Sequence, residues 1–273
     1  VNKIALVRTP SPLLDNGVVS HIEKSEINMT AAIDQWKQYC EALRDQNWRV
    51  VTCPNPNTAN DYADSVFIED CIVMYKDLLS GKSCAVITRP GHPERRNETD
   101  HLEDFLKHSS AVNEVYKISD PGTLDGGDVL KVGSTVYVGD SDRTNSQGIE
   151  QFANILRPYG AAVVSVPLNK VLHLKSAATA LPCGTIIAWK DALDEEAINI
   201  FKRTGSKNII FSPEEHGSHV ILLDEQTLLM SHQAPLTAAM LRSPPYNLKV
   251  VTVNIDEYIK LEGCVTCLSV RIR

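Results

Sequence analysis

Five times along the chain, two apolar runs of strand length are broken by a polar turn and followed by a stretch whose apolar positions recur at three and four residues. The first such set is "DCIVMYKDLLSGKSCAVITRP" with "ERRNETDHLEDFLKHS", where Leu102, Phe105 and Leu106 predict a helical stripe. The second is "DVLKVGSTVYVGDSDRTN" with "SQGIEQFANILRPYG", its stripe carried by Ile149, Phe152, Ile155 and Leu156. "HLKSAATALPCGTIIAWK" with "DEEAINIFKRTG" is the third, and "HVILLDEQTLLMSHQ" with "PLTAAMLRSPPYN" the fourth. The fifth is split: "CLSVRIR" at one end of the chain supplies its first strand and "NKIALVRTP" at the other its second, with Ile33, Trp36, Cys40 and Leu43 striping the helix.

Strands in pairs argue against a doubly wound α/β sheet, in which helices separate strands singly. The pattern predicts an α/β fold of five radial modules, a five-bladed propeller spanning residues 1–273 as one domain, closed by pairing of the first and last strands. Such closure leaves no exposed sheet edge.

Polar residues recur where these units begin. Glu69 and Asp70, Asp125, His173 and Cys267 each precede or open a first strand, at intervals of 56, 48 and 94 residues. Equivalent strand ends converge on the axis of a ring, so carboxylates, an imidazole and a thiol should meet there. A thiolate with an imidazole in reach is the minimal kit for covalent catalysis, and Asp125 would fix or polarise the ring. Two adjacent acids repel unless a cation lies between them, so Glu69 and Asp70 predict a guanidinium guest, whose planar donors match carboxylate oxygens. Arg89 and Arg143 end second strands in two units, with Arg8 a third candidate from the split unit. Their convergence adds a carboxylate to the guest, which would then be an arginine-like free amino acid.

Composition narrows the setting. A net charge of −7 disfavours nonspecific attraction to nucleic acid or anionic lipid. No apolar run has bilayer-spanning length, and the start lacks a signal-peptide core, so a cytoplasmic protein is expected. Seven cysteines without scaffold spacing fit reduced, mostly buried thiols. Cys264 and Cys267 form a C-x-x-C, but no second pair completes a zinc shell. In an extended strand the two would face opposite ways, which reads Cys264 as packing.

Taken together, "VRTPSPLLDNGVVSH", "DSVFIED", "ITRPG", the "RR" of Arg95 and Arg96, "GTLDGGDV", "RTN", "LHLKS" and "VTCLS" resemble the dimethylarginine dimethylaminohydrolases, guanidino-modifying enzymes of the pentein fold. The resemblance covers nearly the whole chain. It implies Cys267 as nucleophile, His173 as general acid and base, and Asp125 as its carboxylate partner. It also implies Asp70 and Glu69 on the guanidinium, and Asp64 with the backbone carbonyls of Val18 and Leu261 on the substrate α-amino group. Arg89 and Arg143 would hold the carboxylate. No metal or organic cofactor is implied, and the partner is a small molecule, with room left for a homodimer. Some bacterial members carry Glu where this chain has Asp125. Arginine deiminase and a non-catalytic amino-acid-binding propeller are the alternatives.

Overall fold

The structure, a computed structural model, describes residues 3–56, 62–77, 79–109, 111–204 and 208–273. Fifteen strands among them form five three-stranded sheets. β1 (Ile4–Val7) and β2 (Arg49–Thr52) flank the helix α1 (Met29–Asp45), and β3 (Ile72–Lys76), β4 (Ser83–Ile87) and β5 (Glu114–Lys117) follow, with α2 (Leu102–Lys107) before β5. Next come β6 (Val129–Val132), β7 (Thr135–Asp140), α3 (Ser146–Leu156) and β8 (Ala162–Pro167). The short helix α4 (Leu174–Ala177) leads into β9 (Ala178–Ala180), β10 (Ile186–Ala188), α5 (Glu195–Arg203) and β11 (Ile209–Phe211). The last elements are β12 (Val220–Leu222), β13 (Thr227–Ser231), α6 (Pro235–Arg242), β14 (Lys249–Val253), α7 (Asp256–Ile259) and β15 (Val270–Ile272).

Every sheet has one plan: a first strand antiparallel to the middle one, a helix, and a third strand parallel to the middle one. The split unit obeys it, since β15 pairs with β1 in the register Ile4 with Ile272 and Leu6 with Val270. The third strands β2, β5, β8, β11 and β14 were absent from the sequence reading. In α1 the buried face runs through Ala32, Tyr39, Cys40 and Leu43, while Ile33 is exposed, a rotation of the stripe by about one residue.

Both faces of the middle strands are buried. In β1, Ala5 and Val7 pack with Ile221 and Leu229 of the fourth sheet, whereas Ile4 and Leu6 pack with Ile72 and Ala85 of the first full hairpin. Three further clusters join the sheets in succession: Val73 and Val86 with Val129 and Val138, Leu130 and Tyr137 with Ala178 and Ile186, and Ile187 with Val220 and Leu228. The core is therefore five apolar seams rather than one central mass. Among the described residues no helix is long and apolar enough to cross a membrane.

A short turn precedes the first strand of each sheet: 3-10 turns at Ile68–Asp70, Gly126–Asp128 and Glu215–Ser218, α4, and the turn at 265–268. The residues singled out at the unit starts sit in or beside these turns, not on the strands themselves.

Candidate active site

The GGD turn requires glycine. A Cβ on Gly126 would lie 1.9 Å from the Glu69 carbonyl oxygen, and one on Gly127 would lie 2.5 Å from Nδ1 of His173 and 2.8 Å from Oδ1 of Asp70. With no side chains in the way, the turns carrying Asp70, Asp125 and His173 close on one another. Asp128, which the sequence reading left out, ties them: its Oδ1 accepts from the Leu174 N–H at 2.9 Å and its Oδ2 from Ser141 and Thr144, both at 2.7 Å. Burial pushes the Asp128 carboxyl up to about 6.

Oδ2 of Asp125 lies 2.9 Å from Nε2 of His173 and Oδ1 of Asp70 lies 3.9 Å from Nδ1, so each ring nitrogen faces a carboxylate. Gly91 N–H donates to the other oxygen of Asp125 at 2.8 Å. Burial opposes a charged imidazole, but Asp70, Asp125 and Asp128 outweigh it and raise His173 to about 9. Asp70 is likewise buried, yet His173, Arg95 and the Gly127 N–H hold its carboxyl down at about 2. Arg95 donates to Asp70 at 2.7 Å and to both oxygens of Glu98, and it keeps its charge despite burial because of Glu98 first and Asp70 next.

Cys267 stands in a turn closed by its own N–H donating to the Cys264 carbonyl at 3.1 Å. Tyr39 of α1 donates to the Val265 carbonyl, and Arg271 caps the Thr266 and Ser269 carbonyls, fixing the turn from outside. Cys267 shares one cleft with Asp70, His173, Arg95, Asp64, Arg143, Val18 and Leu261. Asp64 accepts from the Val18 N–H at 3.0 Å, which anchors the Val18 loop at the cleft edge. Arg143 lies 3.7 Å from Asp125 Oδ2 and donates to the Ser20 hydroxyl. Its loop is held by Asn145, whose Oδ1 accepts from Thr123 and, as the cap of α3, from Gly148.

With thiol, imidazole, acid and arginine on one cleft, likeness to known proteins can be weighed. The family profile described as N,N dimethylarginine dimethylhydrolase, eukaryotic, matches residues 13–268. A protein of Streptomyces coelicolor named N(G),N(G)-dimethylarginine dimethylaminohydrolase is 45% identical over 273 residues, covering 100% of this chain and 98% of that one. This chain belongs to the dimethylarginine dimethylaminohydrolase family. The family's Pseudomonas aeruginosa member is 32% identical over 98% of this chain and 99% of its own. Its solved structure, a cysteine-to-serine mutant complexed with citrulline, superposes with a TM-score of 0.84 over 99% of each chain at 29% identity. The N-terminal domain of ArgZ, a cyanobacterial arginine dihydrolase, shares the fold, with a TM-score of 0.82 at 18% identity over 100% of this chain and 98% of that one.

The structure places several of the expected residues differently. Glu69 and Asp70 do not bracket one cation. Asp70 faces Arg95 and the cleft, whereas Oε1 of Glu69 accepts from Lys175 at 2.6 Å and Arg271 at 3.0 Å and lines a separate cavity. Asp70 has Arg95 and Glu69 has Lys175 and Arg271, because neighbours in a tight turn point apart. Arg89 lies outside the cleft lining and pairs with Asp120 at 2.5 Å and the Gly122 carbonyl. Arg8 is neither a surface ion pair nor a site residue, being fully buried and spent on the Pro54, Ser65 and Glu98 carbonyls.

Arg95 is the cleft residue whose role the sequence reading missed. Its signal is the acid three residues on in "RRNE", which looks like a solvated helical pair. The fourth sheet also has a polar residue at the equivalent place, His219, but its Nε2 donates to the Ser176 carbonyl at 2.7 Å and is occupied there.

Cys264 is not packing on an opposite face, since the turn brings its sulfur 3.4 Å from that of Cys267. The contact with Cys264, burial and the nearby Glu69 and Asp70 carboxylates keep Cys267 well up as a thiol, while Cys264 comes down because Cys267 hydrogen-bonds to it. Cys40, Cys53 and Cys84, by contrast, are driven up to about 11, 12 and 12 chiefly by burial in apolar seams. One equivalent of hydrogen peroxide should therefore couple Cys264 to Cys267, the two thiols yielding a disulfide and two waters. The expected readings are a mass loss of about two daltons mapped to that peptide, and thiol content restored by dithiothreitol. A gain of oxygen mass on Cys267, with Cys264 still free, would show that the turn cannot close.

Proposed function

We propose that residues 1–273 form a single closed five-bladed α/β propeller of the pentein type that hydrolyses Nω-methylated L-arginines to L-citrulline and a methylamine. The five seams and the β1–β15 pairing support the closed ring. The observation that carries the activity is the single cleft lined together by Cys267, His173, Asp70, Asp64 and Arg143. That set of groups matches a molecule carrying both a cationic amidine and an amino acid.

The guanidinium would lie against Asp70, with its central carbon facing the Cys267 sulfur. Its positive charge offsets the carboxylates that keep Cys267 protonated, so the thiolate forms when substrate is in place. Attack builds a C–S bond and a tetrahedral adduct. The imidazolium of His173 gives its proton to the departing methylamine nitrogen as the C–N bond breaks, leaving an S-thiouronium. The now neutral His173 takes a proton from water, whose oxygen adds to the same carbon. Loss of the C–S bond returns the thiolate and leaves the ureido group of citrulline. Asp125 orients His173 and holds the charge it carries between steps. Glu69, anchored by Lys175 and Arg271, forms the floor behind the reacting centre rather than a second clamp.

At the amino-acid end, the Asp64 carboxylate and the Val18 and Leu261 carbonyls would receive the α-ammonium, and Arg143 the α-carboxylate. Incubating the purified protein with asymmetric dimethylarginine, monomethylarginine and arginine, and assaying citrulline, tests the reading. Turnover of arginine alone would reassign the chain to deimination, and tight binding without citrulline to an amino-acid receptor.

Arg143→Ala should raise KM about 10- to 100-fold, the worth of a charge-assisted pair to carboxylate, with kcat changed far less. Arg89→Ala should move KM by less than about threefold, because its guanidinium is used on Asp120 outside the cleft. Steady-state kinetics on the two variants check both. A fall in kcat exceeding the rise in KM for Arg143→Ala would make its main task support of Asp125.

A further inference from the structure

Glu69 lines a second, larger cavity of about 140 Å3, which is also lined by residues of the first strand of every sheet, β3, β6, β9, β12 and β15. Its charge is one-sided. Lys131, Lys175, Arg271 and Arg273 face it, and Glu69 is the one carboxylate among its lining residues. Glu69 is already shared between Lys175 and Arg271. Lys131 donates to the Met74 carbonyl at 2.7 Å, and Arg273 donates to a backbone carbonyl at 3.4 Å. Neither forms a side-chain ion pair among the described residues, so four cationic side chains line the chamber against one acidic side chain.

We propose that this chamber is a binding site for a small multivalent oxyanion of the sulfate or phosphate class, held chiefly by Lys131 and Arg273 and bordered by Lys175 and Arg271. Like-charged groups crowded around one opening cost free energy that a dianion relieves. The direction of the Lys131 shift agrees: the side chain is exposed at the chamber, and crowding by the protein around it, then Lys175 and Arg271, lower its ammonium to about 7, with Glu69 opposing. An anion would reverse the shift. Linkage then fixes the sign: binding favours protonated Lys131, so affinity is greatest below about pH 7 and declines as pH rises past it.

Sulfate is the probe, because it stays a dianion across the range while phosphate titrates. Calorimetric titration at constant ionic strength should show saturable binding, roughly tenfold tighter at about pH 6 than at about pH 8.5. Lys131→Met should weaken it about tenfold or more, and Lys131→Arg should retain binding with the pH dependence gone, since arginine does not titrate there. Saturating L-citrulline should leave sulfate bound. The proposal is overturned if sulfate does not saturate, if Lys131→Met binds it unchanged, or if L-citrulline displaces it, which would place the anion on Arg143 instead. Should Lys131→Met fail to fold, the flat pH profile of Lys131→Arg decides alone, and a profile unchanged from the parent protein counts against the site.

Discussion

A Cys267→Ser variant should fold with the parent's thermal midpoint, bind substrate, and lose roughly a thousandfold or more of kcat. The loss follows from acidity. The substrate's charge can draw a proton from a thiol even where Glu69 and Asp70 oppose it, but a serine hydroxyl lies too many pKa units higher for the same pull to suffice. Folding should survive because the hydroxyl fits the same turn: the Cys264 N–H that now points at the Cys267 sulfur at 3.4 Å finds an oxygen instead, and the closing bond of the turn is backbone to backbone. Citrulline formation in single-turnover assays, beside a melting curve, provides the check. Residual turnover within about tenfold of the parent would remove the sulfur from the chemistry and leave His173-assisted water attack as the mechanism.

That the sulfur, imidazole and Asp125 were legible before the structure rests on recurrence. Each stands at the same place in a repeating unit, so a ring brings them together whatever the loops between them do. What recurrence cannot specify is where neighbouring side chains point. Glu69 and Asp70 are consecutive and chemically alike, yet a 3-10 turn sends one to the cleft and the other to the chamber behind it. Cys264 and Cys267 were separated by assuming extended backbone, and a turn joins them. Arg95 and Glu98 sit in "PERRNET", a stretch that looks solvated because it is highly charged. Two of its charges, Arg95 and Glu98, are in fact buried against each other. The third strands stayed invisible for a related reason: β2 and β5 are exposed at both ends and half-buried between, so their sequences carry neither a clean alternation nor an apolar run.

Asp125→Asn should lower kcat by roughly 10^2 to 10^4 while leaving KM within a few fold. The carboxylate is fully buried, and its two oxygens do different work, one accepting from the Gly91 N–H and the other facing Nε2 of His173 at 2.9 Å. An amide can keep the first contact but turns an N–H toward Nε2, which forces that nitrogen to be an acceptor. The imidazole then carries its one proton on Nδ1 and is no longer the cation that protonates the leaving amine. The pH profile distinguishes this from damage to the fold. In the parent protein, His173 rises from 6.5 to about 9, so the acid form, and the stability its carboxylate partners confer, are fully present below about pH 6.5 and fade as pH climbs through about 9. The alkaline limb of kcat should follow that loss. With asparagine at 125 the limb should move to lower pH, because burial still opposes the charged ring while the hydrogen bond and charge of Asp125 are lost. Imidazole resonances titrated by NMR, together with kcat against pH, measure both. An unmoved limb with kcat within about threefold of the parent would assign the acid to another group, and Asp125 would then be a support for the Gly91 loop.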